Sequence, residues 1–308
     1  MNLFEHQKLF STTLAMAFAA AAMCVSGGQA YAAGVQVNIG PFNADDILRY
    51  SGTFTSPGIS YDDPASGGSV DNWLVTQSAA TQLATNQGIL SPPPVGINDN
   101  GFYPASGARL YDVQLGFTNG TASGTNTVIR STAVGNFSFN VPNNQYSQFA
   151  IFGSGGSGTS TLVITMNYST GSPTVLTGVT LPDWAGGDSG ATAASAAGTH
   201  FTLTPPMSRQ SAWRFPSSGY QAPGTGGYYI YGINLAPDST RILASVTVAY
   251  TPSSPGYTVA NFFTAAGAIA VSSSPSVTPL PNTLILLLAG LGLLYWIFSR
   301  RQRAASGV

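Results

Sequence analysis

Cysteine, lysine and glutamate are almost missing from this chain. The one Cys is Cys24, inside an N-terminal apolar stretch; the one Lys is Lys8 and the one Glu is Glu5. Past that stretch no thiol remains for a disulfide, a zinc thiolate or a cysteine nucleophile, so stability must come from packing and sheet hydrogen bonds. Met23, not a small residue, precedes Cys24, which argues against a lipoprotein cysteine. Charged residues make up only 7% of the chain, against about a quarter in ordinary globular domains. Between Ala33 and Pro281 ten Asp stand against six Arg. The Lys and Arg clusters that displace counterions from a nucleic acid are absent, so no nucleic acid partner is expected. Losing Lys and Glu also removes two good formers of exposed helix, while Thr, Val, Tyr and Phe are plentiful. The expected fold class is all-β.

What the chain does have is glycine and proline, 36 and 20 residues, spread between β-rich runs. The runs "RLYDVQLGF" (109–117), "NFSFNV" (136–141), "YSQFAIFG" (146–153), "TSTLVITMNYS" (159–169) and "PTVLTGVTL" (173–181) read as strands. So do "THFTLT" (199–204), "YYIYGINL" (228–235), "RILASVTVAY" (241–250) and "YTVANFFTAAG" (257–267). Their spacing, with turn residues between, is that of an antiparallel sandwich. In "TLVITMNY", Leu162, Ile164 and Met166 share one face and Val163, Thr165 and Asn167 the other, the half-buried pattern. Gly171 and the Pro237-Asp238 pair mark tight turns, and "GSGGSG" (153–158) reads as a flexible hairpin tip. The stretch near 75–90 is the only helix-like one. The sandwich is assigned to 33–271 and a Pro/Ser spacer to 272–278.

Both ends carry targeting signals. Lys8 precedes the apolar run from Leu9 to Val25; Gly27 and Gly28 break it, and Ala30 and Ala32 supply the two small residues that a signal peptidase reads. Residues 1–32 are expected to be a signal peptide cleaved after Ala32. At the other end, the apolar run 284–298 reaches only about 22 Å as a helix, short of a hydrocarbon layer near 30 Å. Arg300, Arg301 and Arg303 follow it and should hold the end (304–308) cytoplasmic, with the body facing outward.

Pro279-Leu280-Pro281, the short helix 284–298 and Arg300-Arg301-Gln302-Arg303 together resemble the PEP-CTERM sorting tail of Gram-negative exported proteins, here spanning 279–303. Leu280 stands where the family's namesake Glu would be. The resemblance implies an exosortase-type processing enzyme as partner, transient residence in the inner membrane, and a final site at the cell surface or in the matrix. A plain C-terminal anchor is the alternative. More loosely, "FNADDI" (42–47), "LGFTNG" with "NTVIRS" (115–131), the run 146–184 and the run 228–267 are similar to galactose-binding-like and carbohydrate-module jelly rolls. That similarity implies a sugar-binding or matrix role.

Catalytic constellations are weak. "GGDSGA" (186–191) looks like a serine-protease nucleophile loop, but the base histidine would have to be His200, only eleven residues after Ser189, with no assigned third carboxylate. Asp45-Asp46 and Asp62-Asp63 are sequence neighbours and would point apart on a strand. Asp45, Asp46, Asp62, Asp63 and Asp99 lie in expected loops and are the candidates for a structural calcium. For sugar binding, an exposed ring platform is needed, and Trp73, Trp184, Trp213 and Tyr229 are the candidates. The expectation is a non-enzymatic exported protein associated with extracellular polysaccharide. The alternatives are a structural or adhesive envelope protein, and a polysaccharide hydrolase using Asp183 or Asp188.

Overall fold

A computed structural model describes residues 34–50, 73–86, 96–116, 126–185, 191–203 and 228–270. The segments expected to be a signal peptide (1–32), a spacer (272–278) and a sorting tail (279–303) lie outside them. Among the described residues no helix is long and apolar enough to cross a membrane.

The protein is an all-β sandwich of antiparallel sheets. The six-stranded sheet is built from β1 (Gly34–Val37), β6 (Ile129–Ser131), β8 (Tyr146–Gly156), β11 (His200–Thr202), β12 (Tyr231–Asn234) and β14 (Val259–Ile269). Its order is β1-β14-β8-β12-β11, with β6 also paired to β14. The four-stranded sheet takes β7 (Gly135–Asn144), β9 (Ser160–Tyr168), β10 (Thr174–Leu181) and β13 (Leu243–Pro252), in the order β10-β9-β13-β7. The chain passes repeatedly from one sheet to the other, so strands distant in sequence become neighbours.

Each strand behaves as its side chains dictate. On β9, and on β13 from Ser245 onward, burial alternates residue by residue, because one face is apolar and the other is Thr, Ser, Asn, Ala and Val. The inward set, including Phe139, Leu162, Ile164, Met166, Val246 and Val248, forms the main core with Phe149 and Ile151 of β8 in the facing sheet. β8 and β14 differ: almost every residue is buried, whichever way it points. Their second face carries Ala150, Phe152, Phe263, Ala266 and Ala268, which pack under a third layer contributed by the segments 44–48, 73–86 and 96–116.

That third layer holds short elements: β2 (Ile47–Leu48) parallel to β3 (Leu74–Val75), the helix α1 (Gln77–Asn86), and β4 (Phe102–Tyr103) antiparallel to β5 (Val113–Gln114). α1 buries Ala79, Ala80, Leu83 and Ala84 against Leu48, Trp73 and Val75. Its N-terminus is capped from another loop: Asp99 Oδ1 accepts the Ser78 N–H at 2.8 Å.

Two expectations are corrected. The described part of the run 109–117 is not one strand, since Val113–Gln114 alone pairs as a strand and Arg109 makes an isolated bridge to Ser106. The buried Arg109 guanidinium donates to the carbonyls of Tyr103, Pro104 and Tyr111 and holds this segment in a compact loop. The glycines of "GSGG" are also not a hairpin tip. β8 runs through Gly156, and the turn falls at Ser157-Gly158. Close approach explains the choice of glycine: a Cβ on Gly153 would sit 2.4 Å from the Asn261 carbonyl oxygen, and one on Gly155 2.2 Å from that of Gly158. The expected turn at Gly171 is present, with φ of 81°. Arg241 closes it, lying 3.8 Å above the Tyr168 ring and donating to the Thr170 and Ser172 carbonyls.

Candidate functional site

The aromatic platform expected from the sequence does not form at the residues described. Trp184 is 1% exposed, Trp73 6% and Tyr229 5%. Trp184 lies between the six-stranded sheet and the third layer, and Trp73 belongs to that layer. Trp184 stacks on Tyr228 with ring centroids 4.4 Å apart. Its backbone bonds to Gly155 and Tyr229, tying the strand end to the 228–230 segment. Trp73 packs against α1, and Tyr229 leans on Tyr231, itself fully buried, at 6.0 Å. Trp213 lies outside the described residues.

Of the acidic candidates, Asp45 and Asp46 are buried, and Asp99 is half-buried in a turn. Asp45 bonds the Arg49 guanidinium at 2.9 Å, the Thr127 hydroxyl at 3.0 Å and the Ile47 N–H at 3.3 Å. Asp46 is fully buried and neither carboxylate oxygen has a hydrogen-bond partner. Arg130 Nε stands 3.9 Å from it. Loss of solvation outweighs that one cation, and neighbouring Asp45 adds to it, so the Asp46 carboxyl is pushed up to about 8. Arg130 is also the cross-strand partner of Asn261, whose amide atoms are buried without hydrogen-bond partners. Asp99 is occupied as the cap of α1. Among the described residues no three acidic, His or Cys side chains gather to hold a metal ion. Asp62 and Asp63 lie outside the described residues.

Of the hydrolase candidates, Asp183 accepts backbone N–H groups from Gly158 and Ala185, and burial raises its pKa despite both bonds. This closes the turn after β10. His200 meets the Tyr231 ring edge-on at 5.6 Å. Ser189 and Asp188 lie outside the described residues.

What faces solvent as a continuous, regular surface is the outer side of the four-stranded sheet. The register aligns its outward residues in rows across the strands. One row is Asn140, Ser245 and Asn167; the next is Ser138, Thr247, Thr165 and Val175. A third holds Asn136, Ala249 and Val163, and a fourth Thr251, Thr161 and Thr180. Ser138 and Thr247 hydroxyls bond at 2.8 Å, and the Asn167 amide donates to Ser245 at 3.2 Å, which keeps neighbouring side chains in fixed positions. No strand of this sheet contains Asp, Glu, Lys, Arg or His. The signal was in the sequence as alternating Thr, Ser, Asn and Val opposite the core set. It could not be recognised as one surface before the pairing of β7, β13, β9 and β10 was known.

Comparisons with protein-family models, with curated proteins and with solved structures give no match.

Proposed function

We propose that this is a non-enzymatic exported protein of a Gram-negative envelope, delivered by an exosortase-type system and held at the cell surface or in the matrix by association with exopolysaccharide. The body is read as a jelly-roll-like sandwich. In support, β1-β14-β8-β12 and β7-β13-β9-β10 interleave in the way that two nested Greek keys require. The observation that carries the functional reading is the regular, uncharged face of hydroxyl and amide groups on the four-stranded sheet. Such groups donate and accept hydrogen bonds alike, as a polyhydroxyl partner requires. The tail at 279–303 supplies delivery, with Pro279, Leu280 and Pro281 ahead of the short helix and Arg300, Arg301 and Arg303 behind it.

Fractionation of the producing cells tests the reading. The protein should co-purify with extracellular polysaccharide and be released when that polysaccharide is digested. Mass spectrometry of the surface material should find the chain shortened from its C-terminal Val308. A chain that keeps Val308 and stays in the inner membrane, whether or not polysaccharide is produced, would refute it.

A further inference from the structure

We infer that the outer face of the β10-β9-β13-β7 sheet is the docking surface, and that its occupant is an uncharged polysaccharide chain. This rests on the reading above and adds the place and the ligand class.

Three observations select the occupant. The first is charge. The four strands carry no Asp, Glu, Lys, Arg or His, so an anionic polymer finds no cation to exchange for its counterions and a cationic one finds no carboxylate. The second is the mixture of chemistry. Val163 and Val175 are 39% and 50% exposed and lie on adjacent strands. Thr161, Thr165, Thr180 and Asn167 flank them on β9 and β10. An apolar spot ringed by hydroxyls and an amide matches a pyranose, whose ring has an apolar face and a hydroxyl rim. The third is what the face lacks as a protein interface. A stable self-association surface buries about 800 Å² per partner around an apolar, aromatic-rich centre, and here two valines stand among polar groups. The sheet edges are blunted as well: β7 carries Pro142, and β10 has an irregularity in its register between Leu176 and Val179.

The test is affinity electrophoresis of the full chain in detergent micelles, in gels containing the exopolysaccharide of the producing cells, a neutral galactomannan, or alginate. The native exopolysaccharide should retard the protein, equally at low salt and at about 0.5 M salt, because no ion pair is involved. Galactomannan should also retard it, and alginate should not. The double variant Val163→Asp, Thr165→Asp should weaken retardation about tenfold, a loss of about 1.4 kcal/mol, with the melting temperature unchanged. Thr247→Arg on β13 should do the same, and serves if the double variant melts early. Retardation that survives both variants places the contact elsewhere and overturns this inference while leaving the proposed function standing. Retardation by alginate, or retardation by any polymer that disappears with salt, overturns the uncharged class. A dimer in sedimentation that the variants dissolve makes a second copy the occupant instead. Failure of every polysaccharide, the cell's own included, removes the proposed function itself.

Discussion

The two sheets of the sandwich share one core and differ on their other sides. The four-stranded sheet presents Thr, Ser, Asn and Val to water, and its strands β9 and β13 alternate in burial. The six-stranded sheet is covered again, so β8 and β14 are buried on both faces. The difference shows how one fold separates stability from exposure. Small residues on the second face of the inner sheet, such as Ala150, Ala266 and Ala268, let a third layer approach closely. Polar residues on the outer sheet keep its face open while hydroxyl and amide contacts hold it in order.

The largest effect expected from breaking this contrast is on the second face of the inner sheet. Phe152→Ala and Trp184→Ala each remove a side chain at most 1% exposed and should cost about 3–5 kcal/mol, measured by urea denaturation. If Trp184→Ala instead leaves stability intact and abolishes polysaccharide binding, the third layer does not cover that ring.

A buried acid within the third layer should give a pH dependence. Asp46 titrates at about 8 when folded and at its ordinary 3.8 when unfolded. Its contribution to stability is therefore complete below about pH 4 and is lost as pH rises towards 8, because the unfolded chain releases the proton more easily. Asp46→Asn, which mimics the neutral form, should flatten the fall in unfolding free energy between pH 4 and pH 8, read by urea denaturation, by an amount on the order of a few kcal/mol. An unchanged profile would mean that Asp46 is ionised in the fold and paired with Arg130.

A smaller loss is expected at the helix cap. Asp99→Ala leaves the Ser78 N–H without its acceptor and should cost about 1 kcal/mol, while Asp99→Asn should cost less. Smallest of all, Val163→Ala and Thr165→Ala on the outer sheet should change stability by less than about 0.5 kcal/mol. A large loss there would mean that the outer face is covered, and would erase the contrast between the sheets.

Much of the sandwich was legible in the chain. The alternation in 159–169 and 241–250 predicted strands within a residue or two of β9 and β13, since a strand with one wet face writes its period into the sequence. The doubly buried strands were legible as strands but not as buried on both sides. β8 continues through glycines that locally read as a loop. The candidate site was the least legible part. Trp73, Trp184 and Tyr229 were chosen because aromatic rings stack on sugars, yet rings seal cores for the same apolar reason. Only the position of the third layer separates the two uses.

By itself the sequence determined the all-β class, the phase of the half-buried strands and the small number of charges from which ion pairs could form. Those properties depend on neighbours a few residues away, which the chain carries with it. The tertiary structure decided which face of each sheet stays wet, that Asp45 and Asp46 are buried beside Arg49 and Arg130, and that four uncharged strands assemble into one surface. Burial and surface continuity depend on which distant segment lands where, and here contacts such as Asp45 with Thr127 and β7 with β13 span most of a hundred residues or more.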